Sequence, residues 1–287
     1  MRHNFVYLNG QILSEPKITK DTSGRLVRGM CAINVIRGKR DFGNNIDDIQ
    51  FDCPIIMTGD PEKIQRMSEW HANDMIEVKG TITTKEVTKS TICKHCGEKN
   101  SASGVIVYIN PIYMDVRERG LTREQGLEVL RRRAEVSNNV LVIGALCRDV
   151  ESYITAKGVR ITQYQLAINR KFMLKDDVAE NRTDYPWVKS YGSIGEEAEH
   201  CLHTGSVVMI DGMLQTRRVQ RTTVCEHCGE SYNWEDSATE ITPFSVEFLQ
   251  NFDLPEEYEE KIRKENEILA EKIFKNEDWY KKHNPKY

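Results

Sequence analysis

The stretch Thr91-Ile92-Cys93-Lys94-His95-Cys96-Gly97-Glu98 has a near copy 132 residues later, Thr223-Val224-Cys225-Glu226-His227-Cys228-Gly229-Glu230. A repeated Cys-x-His-Cys-Gly-Glu turn marks an internal duplication, so the chain must fold as two related units rather than one. Two thiols flanking two residues, with glycine after them, aim both sulfurs at one small centre. Two such turns supply the four soft ligands of a tetrahedral zinc site. Each half carries one turn and cannot close such a site alone. The expectation is a structural Zn2+ on Cys93, Cys96, Cys225 and Cys228, shared between the repeats; the alternative is that each turn pairs with another chain. Four thiolates leave no open position for water, and His95 and His227, inside the turns, are not expected as ligands. The competing reading is free thiols or a redox pair, but a thioredoxin-type motif belongs at a helix start beside a strand-helix-strand unit, which neither turn has.

A length of 287 residues accommodates two domains with cores of their own. With 39% hydrophobic and 29% charged residues, the chain reads as soluble and globular. No apolar run approaches a bilayer span and Met1-Arg2-His3-Asn4 lacks a signal-peptide core, so a cytoplasmic protein without a membrane partner is expected. Without an export signal, metal is favoured over disulfides, and Cys31, Cys53, Cys147 and Cys201 do not repeat at matched positions. The net charge of −4 gives no global attraction to nucleic acid; such binding must come from a local basic face.

In each half a glycine-bearing apolar segment comes first, around Gly10 and Gly144, reading as a strand bent at a barrel corner. Alternating strands follow, both ending in Ala-Ile-Asn and then basic residues. A third strand contains proline, Pro54 or Pro186, which suggests an edge or bulge. A short helix fits 62–70 and 195–202, a fourth strand 75–84 and 207–216, and after the cysteine turn a fifth strand 105–114 and 241–249. Five strands with one helix between the third and fourth are the order of an oligonucleotide-binding barrel. The expected class is all-β dominated: two tandem five-stranded Greek-key barrels (1–117 and 138–252), a linking helix (118–137) and a charged C-terminal helix or tail (253–287). The Arg131-Arg132-Arg133 run reads as a dipole-complementing helix end, not a phosphate site.

The block Asp184-Tyr185-Pro186-Trp187-Val188-Lys189-Ser190-Tyr191-Gly192, continuing through Glu196-Glu197-Ala198-Glu199 and Thr204-Gly205-Ser206 to Gly212-Met213-Leu214-Gln215-Thr216-Arg217, resembles the centre of bacterial single-stranded DNA-binding proteins. The resemblance covers most of the second half; the first half is a fainter copy. It implies sequence-nonspecific binding and protection of single-stranded DNA in replication, recombination, repair or mobile-element transfer, and a homodimer presenting four barrels. Replication or recombination proteins are possible partners. The family's acidic, hydrophobic-tipped tail is replaced here by the basic Lys281-Lys282-His283-Asn284-Pro285-Lys286-Tyr287, so recruitment by that route is not expected.

Single-strand binding needs flat rings for bases and cations along the phosphates. Tyr185, Trp187, Lys189 and Tyr191 alternate along one strand and so share one face. The resemblance implies stacking roles for Tyr185 and Tyr191, with Trp187 beside them and Phe172 as a looser match. Arg170, Lys171, Lys189, Arg217, Arg218 and Arg221 are the expected phosphate partners; in the first half Arg37, Lys39, Arg40, Lys85 and Lys89 take that part, with Phe42 and Phe51 the nearby rings. A Tyr/Trp stripe at strand spacing can equally be barrel core, though an unpaired lysine inside it argues for a wet face. Trp70 and Trp234 read as structural. An RNA-binding tandem-barrel protein and a zinc-stabilised protein-interaction scaffold remain the alternatives. No Ser-His-Asp grouping or phosphate-cradling glycine loop suggests an enzyme.

Overall fold

The computed structural model describes residues 3–37, 50–156, 158–171, 183–250 and Lys264. Lys39, Arg40, Phe42, Phe172 and, but for Lys264, the expected C-terminal helix lie outside the described residues. The first repeat runs β1 (His3–Ile12), β2 (Lys17–Lys20), β3 (Leu26–Ile36), β4 (Phe51–Asp52), β5 (Ile55–Thr58), α1 (Pro61–Met67), β6 (Met75–Ile92) and β7 (Lys99–Glu118). After α2 (Arg123–Arg132) and α3 (Ala134–Ser137) the order returns as β8 (Asn138–Leu146), β9 (Glu151–Ile154), β10 (Arg160–Asn169), β11 (Thr183–Asp184), β12 (Trp187–Tyr191), α4 (Gly192–Cys201), β13 (Val207–Val224) and β14 (Ser231–Gln250). This is a tandem pair of oligonucleotide-binding folds.

The bent first strand closes each barrel. β1 pairs β6 through Gln11 and turns onto β3 at Gln11↔Asn34, and a Cβ at Gly10 would stand 2.7 Å from Ile33 Cδ1 and 3.0 Å from the Asn34 carbonyl oxygen, so a larger residue would crowd the corner. Proline splits the third strand of each repeat, since it offers no N–H to the ladder. The Pro54 and Pro186 carbonyls still accept from Ile33 N (3.2 Å) and Leu166 N (3.1 Å), which keeps the two pieces aligned. Capping is local: Asp60 accepts from Glu62 N ahead of α1, and Thr122 with Gln125 forms a capping box on α2.

Two features depart from the sequence reading. The expected short fourth and fifth strands are ribbons of 18 and 20 residues in both repeats, paired without a break from Thr81↔Asn110 to Ile92↔Lys99 and from Met213↔Thr242 to Val224↔Ser231. Their distal halves are rich in Ser, Thr and charge and face no barrel core, so hydrophobic alternation is lost while pairing continues. The second is the continuity of the two barrels. β1 lies antiparallel against β8, Val6 opposite Val140, so the sheet order β14-β13-β8-β1-β6-β7 crosses from one repeat to the other, and one apolar core runs through both.

A reciprocal clamp reinforces this junction. Asp52, fully buried, accepts from Arg37 (2.9 and 2.8 Å) and from the Thr216 backbone N–H of the other repeat (2.7 Å), while Cys53 N donates to Thr216 Oγ1 (2.8 Å). At the pseudo-symmetric positions Asp184 accepts from Thr84 N (2.8 Å), Tyr185 N donates to Thr84 Oγ1 (3.0 Å), and Arg170 Nε lies 2.7 Å from Asp184 Oδ2. Removing one partner of a buried ion pair costs about 3–5 kcal/mol. Asp184→Ala is therefore expected to lower the stability of the whole chain by about that amount, read from the denaturant midpoint; a midpoint unchanged within error would show that the clamp carries no weight.

Candidate metal centre and nucleic-acid interface

The cysteine turns cap the ribbon tips. In each, the glycine N–H bonds back to the first cysteine carbonyl (Gly97 to Cys93, 2.9 Å; Gly229 to Cys225, 3.0 Å), and the first cysteine N–H reaches the following glutamate carbonyl at 2.9 Å. The glycines sit at φ +78° and +74°, a backbone region closed to most side chains, which explains the glycine in both copies. The ribbons lie side by side: Lys89 pairs with Asp236, which also takes Arg221 at 3.4 Å, and Thr91 Oγ1 and Tyr232 OH are hydrogen-bonded at 2.6 Å.

All four sulfurs meet. Cys93, Cys96, Cys225 and Cys228 place their Sγ atoms within 4.8 Å of one another, with Cys93 to Cys228 at 3.8 Å and Cys96 to Cys225 at 3.6 Å. Cys93 and Cys225 are buried against Tyr232 and Trp234. Asn100 spans the gap, its Nδ2 donating to Cys225 Sγ (3.3 Å) and its Oδ1 accepting from Glu226 N (2.9 Å). Burial opposes ionisation of Cys225, but the Cys228 and His227 backbone N–H groups and the Asn100 amide outweigh it and bring the thiol down to about 6. The Glu98 N–H favours a Cys96 thiolate, yet desolvation and the neighbouring sulfurs push that thiol up to about 12. Four sulfurs so close cannot all ionise without a cation among them, and the cluster is one that could hold a metal ion.

On β12 the stripe lies outside the barrel. Val188 and Ser190 are the fully buried, inward positions, so the core reading of the aromatic stripe does not hold. Tyr185 is 44% exposed; Trp187 is half-buried with the Arg148 guanidinium 5.0 Å from its ring; Tyr191 is half-buried, its hydroxyl donating to Gln215 Oε1 at 3.1 Å. Burial raises the Tyr191 pKa, with the Lys189 charge opposing it. Lys189 itself departs from expectation: it is only 5% exposed, its ammonium 5.7 Å from the Tyr153 ring, and is no solvent-facing phosphate partner. Its aliphatic stem packs within the surface while a ring face replaces water at the charge.

The remaining expected residues divide. Arg170 is 3% exposed and Arg37 is bound to Asp52, so both serve the junction instead of phosphates. Phe51 packs against Ile36, Met75, Leu130 and Ala134 beside α2 and offers no free ring. Arg217 is held by Glu240 at 2.6 and 2.8 Å. Lys171 and Lys85 are exposed, as is Arg218, which keeps an 86% exposed side chain beside Glu235, and Arg221 remains 56% exposed. Trp70 is buried and Trp234 lines the thiol cluster, matching their structural reading.

Sequence reasoning missed four participants. Tyr153 and Arg148 sit on and just before the unrecognised edge strand β9, and Asn100 follows the first cysteine turn. The fourth, the Asp clamp, had a legible signal in the repeated Asp-x-Pro of Asp52-Cys53-Pro54 and Asp184-Tyr185-Pro186.

Two fused five-stranded barrels with an outward ring strip define a tandem oligonucleotide-binding-fold protein. Residues 137–247 match the model of the "Single-strand binding protein family". The chain is 32% identical over 100 residues to Single-stranded DNA-binding protein 1 of Streptococcus pyogenes serotype M18, covering 33% of this chain and 75% of that one. It is 30% identical over 118 residues to Single-stranded DNA-binding protein 3 of Listeria innocua serovar 6a, covering 40% of this chain and 64% of that relative's length. The chain belongs to the single-strand binding protein family. The wild-type single-stranded DNA binding protein from Thermus aquaticus shares the fold, with a TM-score of 0.53 at 16% identity over 89% of this chain and 97% of that one. Among the described residues no helix is long and apolar enough to cross a membrane.

Proposed function

We propose that this chain coats single-stranded DNA without reading its sequence. The observation that carries this reading is the outward strip Tyr185, Trp187 and Tyr191 on a barrel of this family. Bases stack on these rings, with Phe172 as a further ring, and Lys171, Arg218, Arg221 and Lys85 meet the phosphates. A second copy covers the outer face of the central six strands, where Phe5 and Tyr113 are 37% and 40% exposed and Leu141, Ile143 and Met209 are half-buried.

Zn2+ is the ion we assign to the four thiols. A tetrahedral ion with Zn–S of about 2.3 Å requires sulfurs about 3.8 Å apart. The 3.8 and 3.6 Å separations across the ribbons match that spacing, and all four sulfurs lie within 4.8 Å of one another. The ion's part is structural, tying the two hairpins at their ends.

A titration with oligothymidylate, a matched RNA and a duplex, repeated across a salt series, tests the function. Tight binding to the DNA strand that weakens as salt rises is the expected result. Preference for RNA or duplex, or no binding to any of the three, would overturn it.

A further inference from the structure

We infer that the two barrels divide the work: base stacking belongs to the second barrel alone, on a platform that includes Tyr153, and the first barrel contributes charge to the backbone path. This deepens the function proposed above and rests on it.

The platform is ordered by the strand register. Tyr153 on β9 and Tyr191 on β12 both stand opposite Ile161 of β10, and the next rows are Glu151, Gln163, Lys189 and then Gln165, Trp187. Gln165 Nε2 donates to the Tyr185 carbonyl at 3.0 Å, which anchors the backbone that carries the last ring. Four rings therefore share one outward face, two of them, Tyr153 and Tyr185, at 44% exposure. The Lys189 ammonium beneath Tyr153 leaves that ring's other face for a base. Arg148 occupies one face of Trp187 in the same way.

The corresponding face of the first barrel is different chemistry. Its strands β2, β3 and β5 contain no aromatic residue. Met57 and Ile55 of β5 stand opposite Met30 and Ala32 of β3, where the second barrel has Lys189 and Trp187 opposite Gln163 and Gln165. Tyr185 is matched by Cys53, and the position of Tyr191 by Gly59. Phe51, the one ring in the adjoining β4, is turned against the α2 cluster. What this face does present is cationic: Lys17, Lys20 and Arg28 are exposed on β2 and β3. Aliphatic side chains give a base no π-face to stack on, whereas lysine and arginine still attract phosphate.

Photo-crosslinking of the full chain to oligothymidylate carrying a halogenated uracil, followed by peptide mapping, separates the two barrels. Crosslinks are expected at Tyr153, Tyr185, Trp187 or Tyr191. Crosslinks within β3, within 51–59 or at Phe42 would overturn the division. In parallel, Tyr153→Ala should weaken binding about tenfold and Tyr153→Phe should restore it, while Ile55→Ala leaves affinity within about twofold. Equal losses from Tyr153→Ala and Ile55→Ala, with both variants as stable as the parent, would contradict the inference. If the unmodified chain binds no oligothymidylate at all, the proposed function itself falls and takes this with it.

Discussion

With the proposed Zn2+ on the four thiols, treatment with a chelator, or replacing Cys225 by serine, is expected to lower the unfolding temperature by roughly 10 °C and to expose both ribbons to proteolysis. The size follows from linkage: an ion bound a thousandfold below its free concentration adds about 4 kcal/mol to the folded state. Each kcal/mol moves the melting temperature of a chain this large by about 2–4 °C. The reason lies in the ribbons' composition. Beyond the barrels they are joined by the Lys89–Asp236–Arg221 pairs, the Thr91–Tyr232 hydrogen bond, the Asn100 bridge to Cys225 and Glu226, and the four sulfurs, with little apolar burial besides Tyr232 and Trp234. Without a cation, thiolates this close together repel one another, so the cluster cannot ionise fully. Metal analysis should return one ion per chain. Two ions per chain, none, or an unaltered melting curve after chelation would contradict a shared clip.

The double substitution Tyr185→Ala with Trp187→Ala is expected to reduce affinity for single-stranded DNA from about thirtyfold to about 10⁴-fold. Each stacked base is worth about 1–3 kcal/mol by alanine substitution, and two rings are removed. Because Tyr185 is 44% exposed and Trp187 half-buried on the barrel's outside, the barrel interior stays intact. Stability should fall by far less than affinity, and a denaturation curve measured alongside the binding isotherm separates the two. An affinity loss matched by an equal loss of stability would mean that the rings are structural.

Much of this architecture could be read from the chain before any coordinates. The duplicated Cys-x-His-Cys-Gly-Glu turns announced two units and a four-sulfur centre, because metal ligation demands fixed residue types at fixed spacing. The alternation of β12 was legible too, since period two places Val188 and Ser190 on one side and the rings on the other, but which side meets water was not, because the lysine that argued for a wet face is itself only 5% exposed. Charge was the less legible part. Arg37, Arg170 and Arg217 look the same in sequence as the exposed Arg218 and Arg221, yet carboxylates far along the chain, Asp52, Asp184 and Glu240, hold the first three. Lys189 was misread for a related reason: a ring on a neighbouring strand can stand in for water at an ammonium, and that neighbour is set by register, not by local sequence. The length of the ribbons escaped because strand pairing that faces no core leaves no hydrophobic alternation to detect.

Tryptophan emission offers the most direct measurement. Trp70 is buried and Trp234 lies at the sulfur cluster, so Trp187 is the described tryptophan positioned to meet a base. Titrating the chain with oligothymidylate should quench emission to a saturable plateau, and most of that quenching should vanish in Trp187→Phe while binding itself persists. Quenching of equal depth in Trp187→Phe, or a titration that leaves emission unchanged, would place the bases elsewhere.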